Sequence, residues 1–292
     1  RETKIELYFL VNNQKLETLV INNYNNIRLR LLFAPFLLLS VIVIVLLQQG
    51  AFSVEGYVEI QKDLFFYLNS KLSELSSLQF NLTQLGNPLI ILPFLTVFIV
   101  YAPKLWGALF TTTIISAVIS FLLKEIFDVP RPAEILDNEF FVIIGRVHTG
   151  FSSLPSGHSI TTFTVITLLL FAFMPKEFKS KILWTVFILV VGLFIAFSRV
   201  GVGAHFPVDV VIGSTIGYIC ALTGIVVSNK VSWWNWIKNK KYYTGIIFFL
   251  IIWALALLKE IYDKNLLVVY LSLFSIFTTL YLMIKIHVQK QH

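Results

Sequence analysis

The chain has 292 residues, 57% of them hydrophobic and 13% charged, with a mean hydropathy of +0.81. That balance excludes a soluble globular protein. The net charge of +7 sits in short segments between apolar runs, with no basic, aromatic-interleaved patch of the kind that binds nucleic acid, so its expected partners are anionic lipid headgroups.

Residues 1–30 are polar and mixed in charge, and Leu7, Leu10, Val11, Leu16, Leu19 and Val20 are spaced as one face of a helix. This predicts a cytoplasmic segment with a short interfacial helix. Eight apolar runs follow, at 31–49, 87–103, 105–125, 159–175, 182–199, 208–228, 244–259 and 265–285. Most are long enough to cross about 30 Å of hydrocarbon. The run at 87–103 carries Pro88 and Pro93, and the run at 244–259 is short. The fold class expected is all-α, a polytopic transmembrane helix bundle of about eight spans. Between the first two runs, Leu64, Tyr67, Leu68, Leu72, Leu75 and Leu78 recur at helical spacing, which predicts an amphipathic helix lying on the outer leaflet.

Residues 229–292 open with Trp233, Trp234 and Trp236 beside Lys238, Lys240 and Lys241, the composition of a membrane-interface belt. Two further spans complete this segment and are candidates for packing, for a homo-oligomer contact or for recognition of a large lipid. The lone cysteine, Cys220, falls inside the sixth run and is read as a packed thiol.

Charge asymmetry orients the bundle. With the N-terminus inside, the inner segments hold fifteen Lys and Arg residues and the outer segments eight. The bias places both termini in the cytoplasm.

Three polar clusters, two of them bearing a histidine, stand at outer ends of spans, where ionisable residues are costly and are functional candidates by default. The first holds Lys124 and Arg131, seven residues apart with Pro130 and Pro132 ending the helix between them. The second is Pro155-Ser156-Gly157-His158, where Ser156 suits an N-cap and Gly157 admits close approach of an anion to free N–H groups. The third holds Ser198, Arg199, His205 and Asp209. Three cations suit a phosphate, Arg199 with a planar fork. The i, i+4 pair His205 and Asp209 suits an imidazole held by a carboxylate on one helical face. Arg146 and His148, in the 133–154 connection, are candidate headgroup contacts. The free carboxylates nearby, Asp128 and Glu125, are too few for a magnesium-type site, so neither a metal nor another cofactor is expected.

In order and spacing these clusters closely resemble the type 2 phosphatidic acid phosphatase superfamily, whose pattern is K-x6-R-P, P-S-G-H and S-R-x5-H-x3-D. The resemblance covers roughly residues 85 to 228. It implies a six-helix phosphatase core within 31–228, with the two C-terminal spans as an extension. It further implies that His205 attacks phosphorus to form a phosphohistidine, that Asp209 orients it, and that His158 protonates the leaving lipid alkoxide. Lys124, Arg131, Ser156, Gly157 and Arg199 would bind the phosphate. The expected function is hydrolysis of a lipid phosphomonoester or pyrophosphate at the outer face of a bacterial inner membrane. Phosphatidic acid, phosphatidylglycerol phosphate, undecaprenyl pyrophosphate and lipid A phosphates all fit the motifs. Phosphotransfer to another lipid, or headgroup binding by a non-catalytic transporter, stay open as alternatives.

Overall fold

The computed structural model describes residues 2–231 and 233–288. The side chains of residues 2–13 lie outside that description, and with them the Leu7, Leu10 and Val11 part of the expected N-terminal face. Among the described residues every regular element is a helix. In chain order these are α1 (Glu2–Asn25), α2 (Phe33–Gln48), α3 (Val54–Ser73), α4 (Ser76–Gln84), α5 (Pro88–Phe94), α6 (Phe98–Tyr101), α7 (Pro103–Phe127), α8 (Pro132–Ile135), α9 (Gly157–Ala172), α10 (Phe178–Gly201), α11 (Pro207–Lys230), α12 (Tyr243–Lys264) and α13 (Leu267–Val288), with 3₁₀ turns at Leu29–Leu32, Asn235–Lys238 and Lys240–Tyr242.

Six helical stretches among the described residues are long and apolar enough to cross a membrane: Leu29–Gln48, Pro103–Ile135, Phe178–Gly201, Pro207–Lys230, Tyr243–Lys264 and Leu267–Ile286. Two of the eight expected runs differ. The run at 159–175 is the shorter apolar helix α9. The run at 87–103 is not one helix but two short ones, α5 and α6. Pro93 cannot donate to the ladder, and backbone N–H groups around it form i→i+3 bonds, such as Leu95 N to Leu92 O and Thr96 N to Pro93 O.

At the centre, α9 packs against α11, α10 and α7. Small residues let α9 and α11 approach closely. A Cβ at Gly213 would stand 2.7 Å from Ser156 O, and one at Gly217 would collide with Ile160 O. In a bilayer, where burial of apolar surface drives nothing, such close packing is what holds helices together. α2, by contrast, shows most of its surface outward.

α1 closes the end of the bundle away from the three clusters. Asn23 Nδ2 donates to Ala172 O and Met174 O, Tyr24 to Leu168 O, and Lys104 N donates to the Glu17 carboxylate. Within the 229–243 linker Trp234 does more than sit at an interface: its Nε1 donates to Thr111 Oγ1 at 2.9 Å, against α7.

The 50–86 segment departs most from expectation. It forms two helices rather than one, and the expected leucine face is split: Leu64, Tyr67, Leu75 and Leu78 are exposed, while Leu68 and Leu72 pack against the core. The opposite, polar face is buried, with Gln61, Asn69, Gln79, Thr83 and Gln84 all turned inward. Surroundings that are themselves apolar invert the usual rule, because polar atoms must then find partners inside the protein. Two of them satisfy helix ends. Gln61 Oε1 accepts from Val208 N in the first turn of α11, and Asn69 Nδ2 donates to Val200 O and Gly201 O at the end of α10.

Candidate active site

The site is built at the end of the bundle where α7 and α10 finish and α9 and α11 begin. Asp128, in the left-handed conformation with φ 45°, ends α7 just after Lys124. The chain then passes to Arg131, whose own N–H bonds Gly150 O at 3.0 Å. Its guanidinium is held by Ser152 Oγ, Ser152 O and Ala204 O at 3.3, 3.4 and 3.3 Å. Its Nη1 lies 3.4 Å from His205 Nε2, so an oxyanion drawn to this cation stands beside that ring nitrogen.

His205 and Asp209 meet, but not on one helical face. Pro207 occupies the first turn of α11, and His205 lies just upstream of the cap residue Phe206. The carboxylate of Asp209 folds back over this helix start and accepts from Phe206 N at 2.9 Å. It also accepts from Ser153 Oγ and Tyr57 OH, both at 2.6 Å. With three donors already bound, it stays 3.6 Å from His205 Nδ1, while Ser153 Oγ stands 3.4 Å from the same nitrogen. The expected direct bond is thus a three-membered cluster with Ser153 between the partners. Burial, then Arg131, Arg199, Lys124 and His158, hold the His205 imidazole well below the ordinary histidine pKa, so it is neutral at neutral pH.

Ser156 is the N-cap of α9, its hydroxyl accepting from Ser159 N and Ser159 Oγ at 3.4 and 2.9 Å. A Cβ on Gly157 would stand 3.5 Å from Lys124 Nζ, which places that ammonium over the helix N-terminus. His158 and Lys124 line a groove of about 360 Å³ with Gly157, Ser120, Ser116 and Thr113, running along α7. Arg199 is 3% exposed; its Nη1 donates to Thr83 Oγ1 at 2.6 Å, and its buried Nε has no protein partner. A buried cationic donor left free in this way marks a place for an anion.

His148 also belongs to this end. It is half-buried, and burial with the fields of Arg199, Arg131, Arg146 and Lys124 pushes its pKa down to about 4. Arg146 is exposed. Tyr57, Ser153 and Thr83 bond the clustered residues directly, and none of them falls in a recognisable motif. Tyr57, Gln61, Phe65 and Asn69, four apart and all buried, form a stripe that a search for polar residues opposite the leucines would find.

Residues 105–236 match the sequence model of the PAP2 superfamily. Two relatives, each named lipid A 1-phosphatase, come from Rhizobium etli and Rhizobium johnstonii. They are 33% and 32% identical over 130 residues, which make up 43% of this chain and 52% and 49% of theirs. The chain therefore spans about half the length of the curated relatives it matches. A crystal structure of Aquifex aeolicus LpxE aligns with a TM-score of 0.47 and 24% identity over 59% of this chain and 96% of that one. The family match takes in all three clusters and leaves out α1 to α6 and the hairpin of α12 and α13. On that match, residues 105–236 form a PAP2 superfamily region.

Proposed function

We propose that the protein is a lipid phosphatase working through a phosphohistidine on His205, without a metal. The observation that carries this reading is the unpartnered, buried Nε of Arg199 in a site where Arg131 lies 3.4 Å from the nucleophile nitrogen. Arg199, Arg131, Lys124 and the first N–H groups of α9 neutralise the phosphate. The Nε2 lone pair of neutral His205 attacks phosphorus and the P–O bond to the lipid breaks. The departing oxygen takes a proton from His158. Asp209, held by Tyr57, Ser153 and Phe206 N, stabilises the positive charge that develops on the ring. Water, deprotonated by His158, then attacks phosphorus, and the P–N bond breaks to free His205 and inorganic phosphate.

The groove beside His158 supports a lipid leaving group, since it joins that ring to the apolar flank of α7 at Ala117 and Phe121. The names of the two relatives favour the 1-phosphate of a lipid A type substrate. The charge bias supports a bacterial inner-membrane protein with both termini in the cytoplasm and the site on the periplasmic face. The test is phosphate release by the full chain in detergent and EDTA from lipid A, phosphatidic acid, phosphatidylglycerol phosphate and undecaprenyl pyrophosphate. Release from lipid A above the other three is expected. No release from any lipid overturns the reading, transfer to a second lipid without free phosphate makes it a phosphotransferase, and full function in His205→Ala makes it a binder.

A further inference from the structure

The hairpin of α12 and α13 lies outside the family match, yet it reaches the site through one strip of chain, residues 81–90. We propose that this hairpin is a positioning element that fixes Thr83 against Arg199 and so sets the orientation of the phosphate-binding fork. The inference rests on the reading of Arg199 as a phosphate ligand.

Adjacent residues of α4 bond to different parts of the protein. Thr83 Oγ1 accepts from Arg199 Nη1 at 2.6 Å, and both residues are 3% exposed. Gln84 Oε1 accepts from Lys264 Nζ at 3.2 Å, and that ammonium also pairs with Glu260 at 2.7 Å, so α12 anchors it. The strip is gripped at three further points. Asn81 Oδ1 accepts from Val268 N at 3.3 Å, Trp253 Nε1 donates to Leu89 O at 3.1 Å, and Ser272 Oγ donates to Ile90 O at 2.9 Å. On the site side the strip presses on His158, for a Cβ at Gly86 would stand 2.7 Å from the His158 Cβ. Residues 81–90 are thus sandwiched between the hairpin and two site residues.

An arginine fork has five donors in fixed geometry, so anchoring one nitrogen orients the rest. With Nη1 held by Thr83, Nε is left free for an oxyanion. Without Thr83 the buried guanidinium loses its one side-chain acceptor and is free to turn. The hairpin's polar bonds brace α4 from behind, opposite its packing on α10, because a helix of nine residues is marginal by itself.

The test uses the full chain in detergent, with two readouts: the dissociation constant for orthovanadate, which needs no turnover, and kcat and KM for lipid phosphate release. Thr83→Val keeps the shape and removes the acceptor; it should weaken vanadate binding about tenfold, the worth of a hydrogen bond to a charged group, and lower kcat more than it raises KM. Thr83→Ser should restore both. Lys264→Met and Gln84→Ala should each give a smaller loss in the same direction, and the double variant no more than the single ones. Wild-type vanadate affinity in Thr83→Val, no rescue by Thr83→Ser, or remote variants that lower only Tm would overturn the proposal. Failure of the underlying reading looks different: wild type itself would bind no vanadate.

Discussion

The hydroxyl of Tyr57 donates to Asp209 Oδ1 at 2.6 Å, joining residues 152 positions apart and tying α3 to the foot of the site. Burial first, and then the neighbouring carboxylate, raise the Tyr57 pKa well above that of a free phenol, so the donor keeps its proton throughout the working range. Tyr57→Phe would leave a buried carboxylate oxygen without its donor. The expected cost is about 1–3 kcal/mol of stability together with slower turnover. Thermal unfolding and kcat/KM of that variant check both, and no change in either would show the bond to be idle.

Ser153 and Asp209 share the His205 Nδ1 edge, at 3.4 and 3.6 Å. Asp209→Asn puts an amide in front of three donors that now find a carboxylate, whereas Ser153→Ala removes one of those donors and leaves the charge. Turnover should therefore fall further in Asp209→Asn than in Ser153→Ala. Kinetics on the two purified variants decides it, and the reverse order would make Ser153 the group that holds the ring.

The depressed pKa of His205 sets the acid side of the pH profile. A neutral His205 persists below the ordinary histidine value, so its protonation should cut kcat/KM only below pH 6.5. Removing a cation that depresses this pKa must raise it, so the acid limb of Arg131→Gln should move upward. Stability follows the same sign. The unfolded chain takes up protons on its histidines near pH 6.5, while folded His148 resists until about pH 4. Its contribution is present above 6.5 and is lost as pH falls from there toward 4. Tm measured against pH in wild type and His148→Asn should converge below that window, and parallel curves would refute it.

Leaving-group chemistry tests the proposed division of labour between the two histidines. An aryl phosphate needs no proton to depart, so it should restore part of the activity of His158→Ala and none of His205→Ala. General acid catalysis typically contributes 10²–10⁴-fold, which leaves a rescue large enough to measure. Equal rescue of both variants, or of neither, would reverse or remove the assignment.

An all-helical chain with three clusters at helix ends was legible in the sequence because its signals are local. Apolar length marks spans, Pro207 and Ser156 mark helix starts, and the spacing from Lys124 to Asp209 carries the motifs. Periodicity could show that 50–86 is amphipathic, but not which face meets the protein. Only the tertiary structure turned Gln61, Asn69 and Thr83 inward and left Leu64 and Leu78 outside. It also decided that Asp209 is shared among Tyr57, Ser153 and Phe206 N rather than given to His205 alone, and that α12 reaches Arg199 through Gln84 and Thr83. Most of these partners lie between 56 and 180 residues apart in the chain. A buried polar group must be satisfied, but nothing in its own neighbourhood of sequence says by whom; packing chooses the partner.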